Sequence, residues 1–182
     1  MGSLDHVAND VALEFANSVN ERPHPRVDWF ADARSAATWT ESMGWTAGQL
    51  DDAGLDALRE LRETIHRIAR AFLDGTVPAS GDLAALARAH ATGLRVIGVQ
   101  ATDGRLHRAW PEIESGASLA ARAASAAMAL FESERLTRLR ACPSCGWLFV
   151  DVSRNGGRRW CSMEMCGARS KARAYYRRGH GD

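Results

Sequence analysis

All four cysteines of the 182-residue chain lie in one stretch, "RACPSCGWLFVDVSRNGGRRWCSMEMCGARSKARAYYRR", residues 140–178. Their spacing is Cys142-x2-Cys145-x15-Cys161-x4-Cys166. Two short-spaced pairs separated by a loop form the pattern of a four-thiolate metal site. A turn of two intervening residues can aim both sulfurs at one ion. A hairpin-sized loop then returns the second pair to the far side of the tetrahedron. Pro143 and Gly146 favour a tight turn at the first pair.

Other uses of these cysteines are weaker. Reducing compartments keep thiols apart, so clustered cysteines there bind metal more often than they pair. A catalytic metal needs an open coordination position, which four thiolates do not leave. No His-Glu-x-x-His or His-x-Glu pattern accompanies them. Zinc is favoured over an iron–sulfur cluster because both half-sites resemble knuckles, although iron stays compatible with the composition. The metal is thus expected to fold the segment and not to catalyse.

Cations crowd the same segment. Arg154, Arg158, Arg159, Arg169, Lys171, Arg173, Arg177 and Arg178 surround the cysteines. Residues 138–182 carry a net charge of +7, and residues 1–137 a net of −6. Such asymmetry points to a polyanionic partner for the basic end. Arg169, Arg173 and Arg177 repeat every four residues, one face of a helix. Guanidinium forks match phosphate bidentately, so these eight residues are candidate nucleic-acid contacts. The alternative is a cationic face that docks on the acidic body.

The elements that must hold this segment are mostly helical in pattern. "VALEFANSVNE" (11–21), residues 28–44, 55–75 and 80–93 all read as helices, with Ser80 or Asp82 as N-cap of the last. The clearest stripe is Leu58, Leu61, Ile65, Ile68 and Phe72, closed by Gly75. Residues 94–110 change period, and Asp103-Gly104 predicts a tight hairpin turn. Residues 115–140 read as one long alanine-rich helix running straight into the cysteines. Within the metal segment, residues 147–152 and "RRWC" (158–161) are expected to pair as strands, followed by a basic helix. The expected fold is mainly α with one β-hairpin, plus a small treble-clef or ribbon-like zinc module. The division falls between residues 1–137 and 138–182.

The C-terminal segment resembles the CGNR zinc finger, a bacterial C-terminal module. Asp151, Ser153, Asn155, Arg158, Arg159, Trp160, Cys161, Ser162 and Met163 match its pattern. The eponymous motif reads Cys166-Gly167-Ala168-Arg169, with alanine replacing its asparagine. The rest is similar to the ABATE domain, whose opening pattern matches "LEFANSVNER" (13–22). The resemblance implies a stress-induced transcription regulator, or an RNA-binding protein.

Glu14, Asn17 and Asn20 recur three apart near the N-terminus. They are candidate polar groups of a small-molecule pocket. The favoured alternative has the asparagines bonding backbone groups. No acid–base–nucleophile constellation and no phosphate loop accompany them, so an enzyme is not expected. The six histidines are scattered. No signal-peptide pattern or spanning apolar run is present, and the expected location is the cytoplasm. DNA is the expected partner of the basic helix, with RNA or an acidic protein as alternatives. A small-molecule effector and a homodimer are further expectations for the body.

Overall fold

The computed structural model of the chain describes residues 4, 6–20, 27–46, 48–112 and 115–179, without the side chains of 174 and 177–179. Helices α1 (Val11–Ala16), α2 (Ala33–Ser42), α3 (Asp52–Leu73) and α4 (Ser80–Leu94) come first. A hairpin of β1 (Gly98–Thr102) and β2 (Arg105–Ala109) precedes α5 (Gly116–Phe131). A 3-10 turn at Glu134–Arg138 leads into β3 (Leu139–Ala141) and β4 (Leu148–Val150). A π-type turn at Met163–Gly167 opens the last helix, α6 (Ala168–Gly179). The architecture is mainly helical, with one hairpin in the body and a small four-cysteine module at the end.

Side-chain caps set most helix starts. Asp10, Asp32 and Asp51 accept from backbone N–H groups of Ala12, Ser35 and Gly54. Helix α4 departs from expectation. Its N-cap is Ala79, which makes no side-chain bond. Asp82 instead pairs with Arg67 of α3 at 2.6 Å.

The stripe of α3 is buried at Leu58, Leu61, Ile65 and Ile68, while Phe72 stays partly exposed against Phe131. It faces α5, where Ala123, Ala124 and Ala127 are fully buried. Small residues let the two helices approach. A Cβ on Gly116 would lie 2.7 Å from the Gly54 Cα, so neither position accepts a side chain without a shift. Phe15, Phe30 and Trp39 fill the other end, with ring centroids 5.2 to 5.9 Å apart. Arg62 is buried beside them and grips the Asp28 carboxylate with both terminal nitrogens, at 2.5 and 2.9 Å.

The β1–β2 turn follows the sequence. Asp103 and Gly104 both take positive φ, at 52° and 72°, as a two-residue hairpin requires. Three other readings are corrected. Helix α1 stops at Ala16, so Asn17 is its C-cap and Asn20 lies beyond it. The alanine-rich helix ends at Phe131, because Ser133 turns extended and its hydroxyl bonds back to the Leu130 carbonyl at 2.8 Å. The strand paired with β4 is β3, not "RRWC". The Asp151 carboxylate takes the N–H groups of Ser153 and Arg158, at 2.8 and 2.9 Å, and folds that return segment around itself.

The finger is not an appendage. Ala8, Leu13, Ala69 and Leu130 of the body share one buried cluster with Leu139, Leu148, Phe149, Val150 and three of the cysteines. The outer edge of β4 is bonded to the N-terminal segment. Val150 donates to the Ala8 carbonyl at 2.8 Å and accepts from the Asn9 amide at 3.0 Å. Covering that edge leaves no open ladder at these positions.

Candidate metal centre and nucleic-acid interface

The four sulfurs meet at one point. All four lie within 4.8 Å of one another, and none is in a disulfide. Cys145 and Cys161 sulfurs are 3.5 Å apart, and Cys161 and Cys166 sulfurs 3.6 Å. A disulfide is about 2 Å long. Four sulfurs at about 2.3 Å from a zinc ion stand about 3.8 Å apart at tetrahedral angles. The cluster therefore fits a bound ion and not a pair of bridges.

Local backbone chemistry builds both half-sites. At the first, Cys142 donates to the Trp147 carbonyl and Gly146 to the Cys142 carbonyl, each at 2.8 Å. Gly146 sits at φ 77°, where a side chain would be strained. At the second, Ser162 caps the π-type turn, and Cys166 and Gly167 both donate to its carbonyl at 3.0 Å. Gly167 packs closely against Met163 and Trp160. An added Cβ would come 2.6 Å from the Met163 sulfur and 3.3 Å from the Trp160 ring.

The sulfurs also oppose one another's ionisation. By themselves they titrate unequally. A hydrogen bond from Cys161 brings Cys145 down to about 6. The same contact, then burial and the Cys145 charge, push Cys161 far up. Burial and the Cys145 charge push Cys166 up to about 11. One thiolate thus opposes the next, and a central dication removes that opposition. Cys142, Cys145, Cys161 and Cys166 are the ligands of a structural zinc site that closes its own coordination sphere.

The candidate nucleic-acid contacts divide by environment. Arg154, Arg159, Arg169, Lys171 and Arg173 are exposed. The side chains of Arg177 and Arg178 lie outside the described residues. Arg158 turns inward. Its guanidinium bonds the Val7 carbonyl at 2.8 Å, the Trp160 carbonyl at 3.0 Å and the Cys161 carbonyl, and lies 4.6 Å from the Phe149 ring centre. It ties the finger to the body. Arg159 instead lies over Trp160 at 5.0 Å. Tyr175 and Tyr176 of α6 are 71% and 65% exposed, and Ala168 and Ala172 are exposed too.

The N-terminal polar residues serve the fold. Asn17 is buried and holds Leu148. Asn20 accepts from the Val27 N–H at 2.9 Å. Glu14 accepts from the Ala8 N–H at 2.6 Å and stands 3.7 Å from His6. Burial raises its pKa above the ordinary glutamate value, against the opposing pull of that N–H and of His6. The cavity bordered by Glu14, Asn17, His6 and three tryptophans measures about 10 Å³, room for about one water. The sequence did not reveal Asn9, Trp147 or Arg135 as parts of this seam. Trp147 donates to the Val19 carbonyl at 3.1 Å, and Arg135 to Asp10 at 2.8 Å. Nothing local distinguishes those residues, because their partners lie more than a hundred positions away.

Fold and site together define a helical protein carrying a closed, four-cysteine zinc finger. Residues 138–179 match the family model of the CGNR zinc finger. Residues 9–134 match that of ABATE, whose description reads "Putative stress-induced transcription regulator". The chain belongs to the ABATE family and carries a C-terminal CGNR zinc finger. No curated protein gave a match to it. Among the described residues, no helix is long and apolar enough to cross a membrane.

Proposed function

We propose that the chain is a cytoplasmic transcription regulator, without enzymatic activity, that contacts DNA through α6 and the exposed arginines of the finger. The observation that carries this reading is a group of exposed, unpaired cations gathered on the zinc-held segment. In the body, Arg59, Arg62, Arg67, Arg70 and Arg135 form ion pairs, whereas Arg34, Arg88, Arg95, Arg105, Arg108 and Arg122 form none among the described residues. Among the described residues, Arg154, Arg159, Arg169, Lys171 and Arg173 form none. The acidic body therefore does not neutralise these five, and they are available to phosphate. Zinc fixes where they stand. The helical body supports the finger, and dimerisation or ligand sensing is its further proposed role. A dimer would let a short finger read a longer site.

RNA is the second reading, favoured by the exposed Tyr175 and Tyr176, since unpaired bases stack on such rings. Fluorescence anisotropy of the zinc-loaded protein with random duplex DNA and matched single-stranded RNA, across a salt series, tests both. Five phosphate contacts on duplex DNA give a log–log salt slope near roughly −4.5. Binding to DNA that vanishes with chelator supports the regulator reading. Absence of binding to either at low salt refutes it.

A further inference from the structure

Between the first zinc knuckle and α6 runs an open groove of about 480 Å³. Pro143 and Ser144 line it from the knuckle, Ser170, Arg173 and Tyr176 from α6, and Trp160 completes it. Its volume lies within the range of about 300–1,000 Å³ typical of small-ligand sites. Its chemistry is specific. The Trp160 and Tyr176 rings border it, the Arg173 guanidinium offers a phosphate fork, and the Ser170 hydroxyl can donate or accept. The Ser144 hydroxyl oxygen is buried and has no hydrogen-bond partner among the described residues. Arg159, over the Trp160 ring, adds a second cation at that residue.

We propose that this groove binds one unpaired nucleotide, its base against Trp160 and Tyr176 and its phosphate on Arg173. The inference rests on the nucleic-acid reading above and deepens it. A paired base keeps both faces inside the duplex stack, so only a base released from pairing can enter. The Ser170 hydroxyl suits any base edge, so the groove selects the unpaired state over a sequence. The finger would then favour a bulge, a melted step or a strand end over an uninterrupted duplex.

The test uses the full-length, zinc-loaded protein and three duplexes of one sequence. One is fully paired, one carries a single bulged nucleotide, and one carries an abasic sugar at the bulge. The bulged base should bind more tightly than the abasic bulge by at least about fivefold, the lower end of one base–aromatic stack. Tyr176→Ala should narrow that gap and leave zinc content unchanged. The set repeated in RNA identifies the source, by which backbone gives the larger gap. Equal affinity for base and abasic bulges in both backbones, with duplex binding intact, overturns the groove and spares the regulator reading. A full gap retained by Tyr176→Ala also overturns it. Loss of binding to every probe refutes both together.

Discussion

Asn17 and Leu148, 131 residues apart, exchange two hydrogen bonds: the asparagine amide donates to the Leu148 carbonyl at 2.8 Å and accepts from its N–H at 3.0 Å. The side chain acts as one more residue of strand at the edge of β4. A buried asparagine is thus the stitch between helical body and zinc finger.

Asn17→Ala should destabilise the protein strongly. It strands a buried donor and acceptor, each worth about 1–3 kcal/mol when left unpaired. The urea midpoint should fall with little change in slope. Asn17→Asp should also destabilise, since it keeps the acceptor but loses the donor and adds a buried charge. An alanine variant as stable as wild type would refute the stitch.

Cys142→Ser and Cys161→Ser should each lose zinc and lower the melting temperature of the whole chain. Both cysteines belong to the cluster that contains Leu13, Ala69 and Leu130 of the body. Zinc binding contributes about 10–16 kcal/mol in finger peptides, as much as a typical domain's entire stability. Zinc content by elemental analysis and a thermal melt with chelator check this together. A full equivalent of zinc in either variant would contradict the ligand assignment.

The arginines should separate into two kinds. Alanine at Arg169, Lys171 and Arg173 together should flatten the salt slope by up to about 3, with zinc content and stability unchanged. Arg158→Ala should instead lower stability, because three main-chain carbonyls and the Phe149 ring lose their partner. Paired anisotropy and melting measurements distinguish the sets, and a reversed pattern would undo the division.

Glu14 gives a pH-dependent outcome. Its folded pKa is raised, chiefly by burial, so the ionised form is the one that folding disfavours. Protonation is easier in the folded chain, and the cost is present at pH 7 and disappears below the unfolded value of about 4.3. Glu14→Gln keeps an acceptor for the Ala8 N–H without the charge. The variant should match or exceed wild-type stability at pH 7, and the difference should shrink toward zero near pH 4. Urea unfolding of both proteins at each pH measures it. A gap that widens on acidification would reverse the sign of the argument.

Features encoded locally were legible in the sequence. Four cysteines at knuckle spacing, an Asp-Gly turn and the stripe of α3 each carry their meaning within a few residues. What was hidden depends on distant partners. The partner of β4 could not be read from residues 158–161, because the Asp151 carboxylate draws the Ser153 and Arg158 amides away from any ladder. The end of α5 rests on Ser133, a residue that also occurs inside helices. Arg158 reads like any other arginine of a basic run until Val7 is seen beside it. The groove forms between the first knuckle and α6, and no spacing rule states how far apart they stand.

The bonds that join Ala8, Asn9 and Asn17 to β4 also constrain the order of events at the ribosome. Residues 8–17 bond to a strand made more than a hundred residues later. At about 5–20 residues per second, more than a hundred residues require roughly six to thirty seconds of synthesis. Throughout that interval Leu13 and Ala69 lack the strand that buries them. The nascent chain can form its helices early, but its first segment settles only when the finger has emerged and taken its metal.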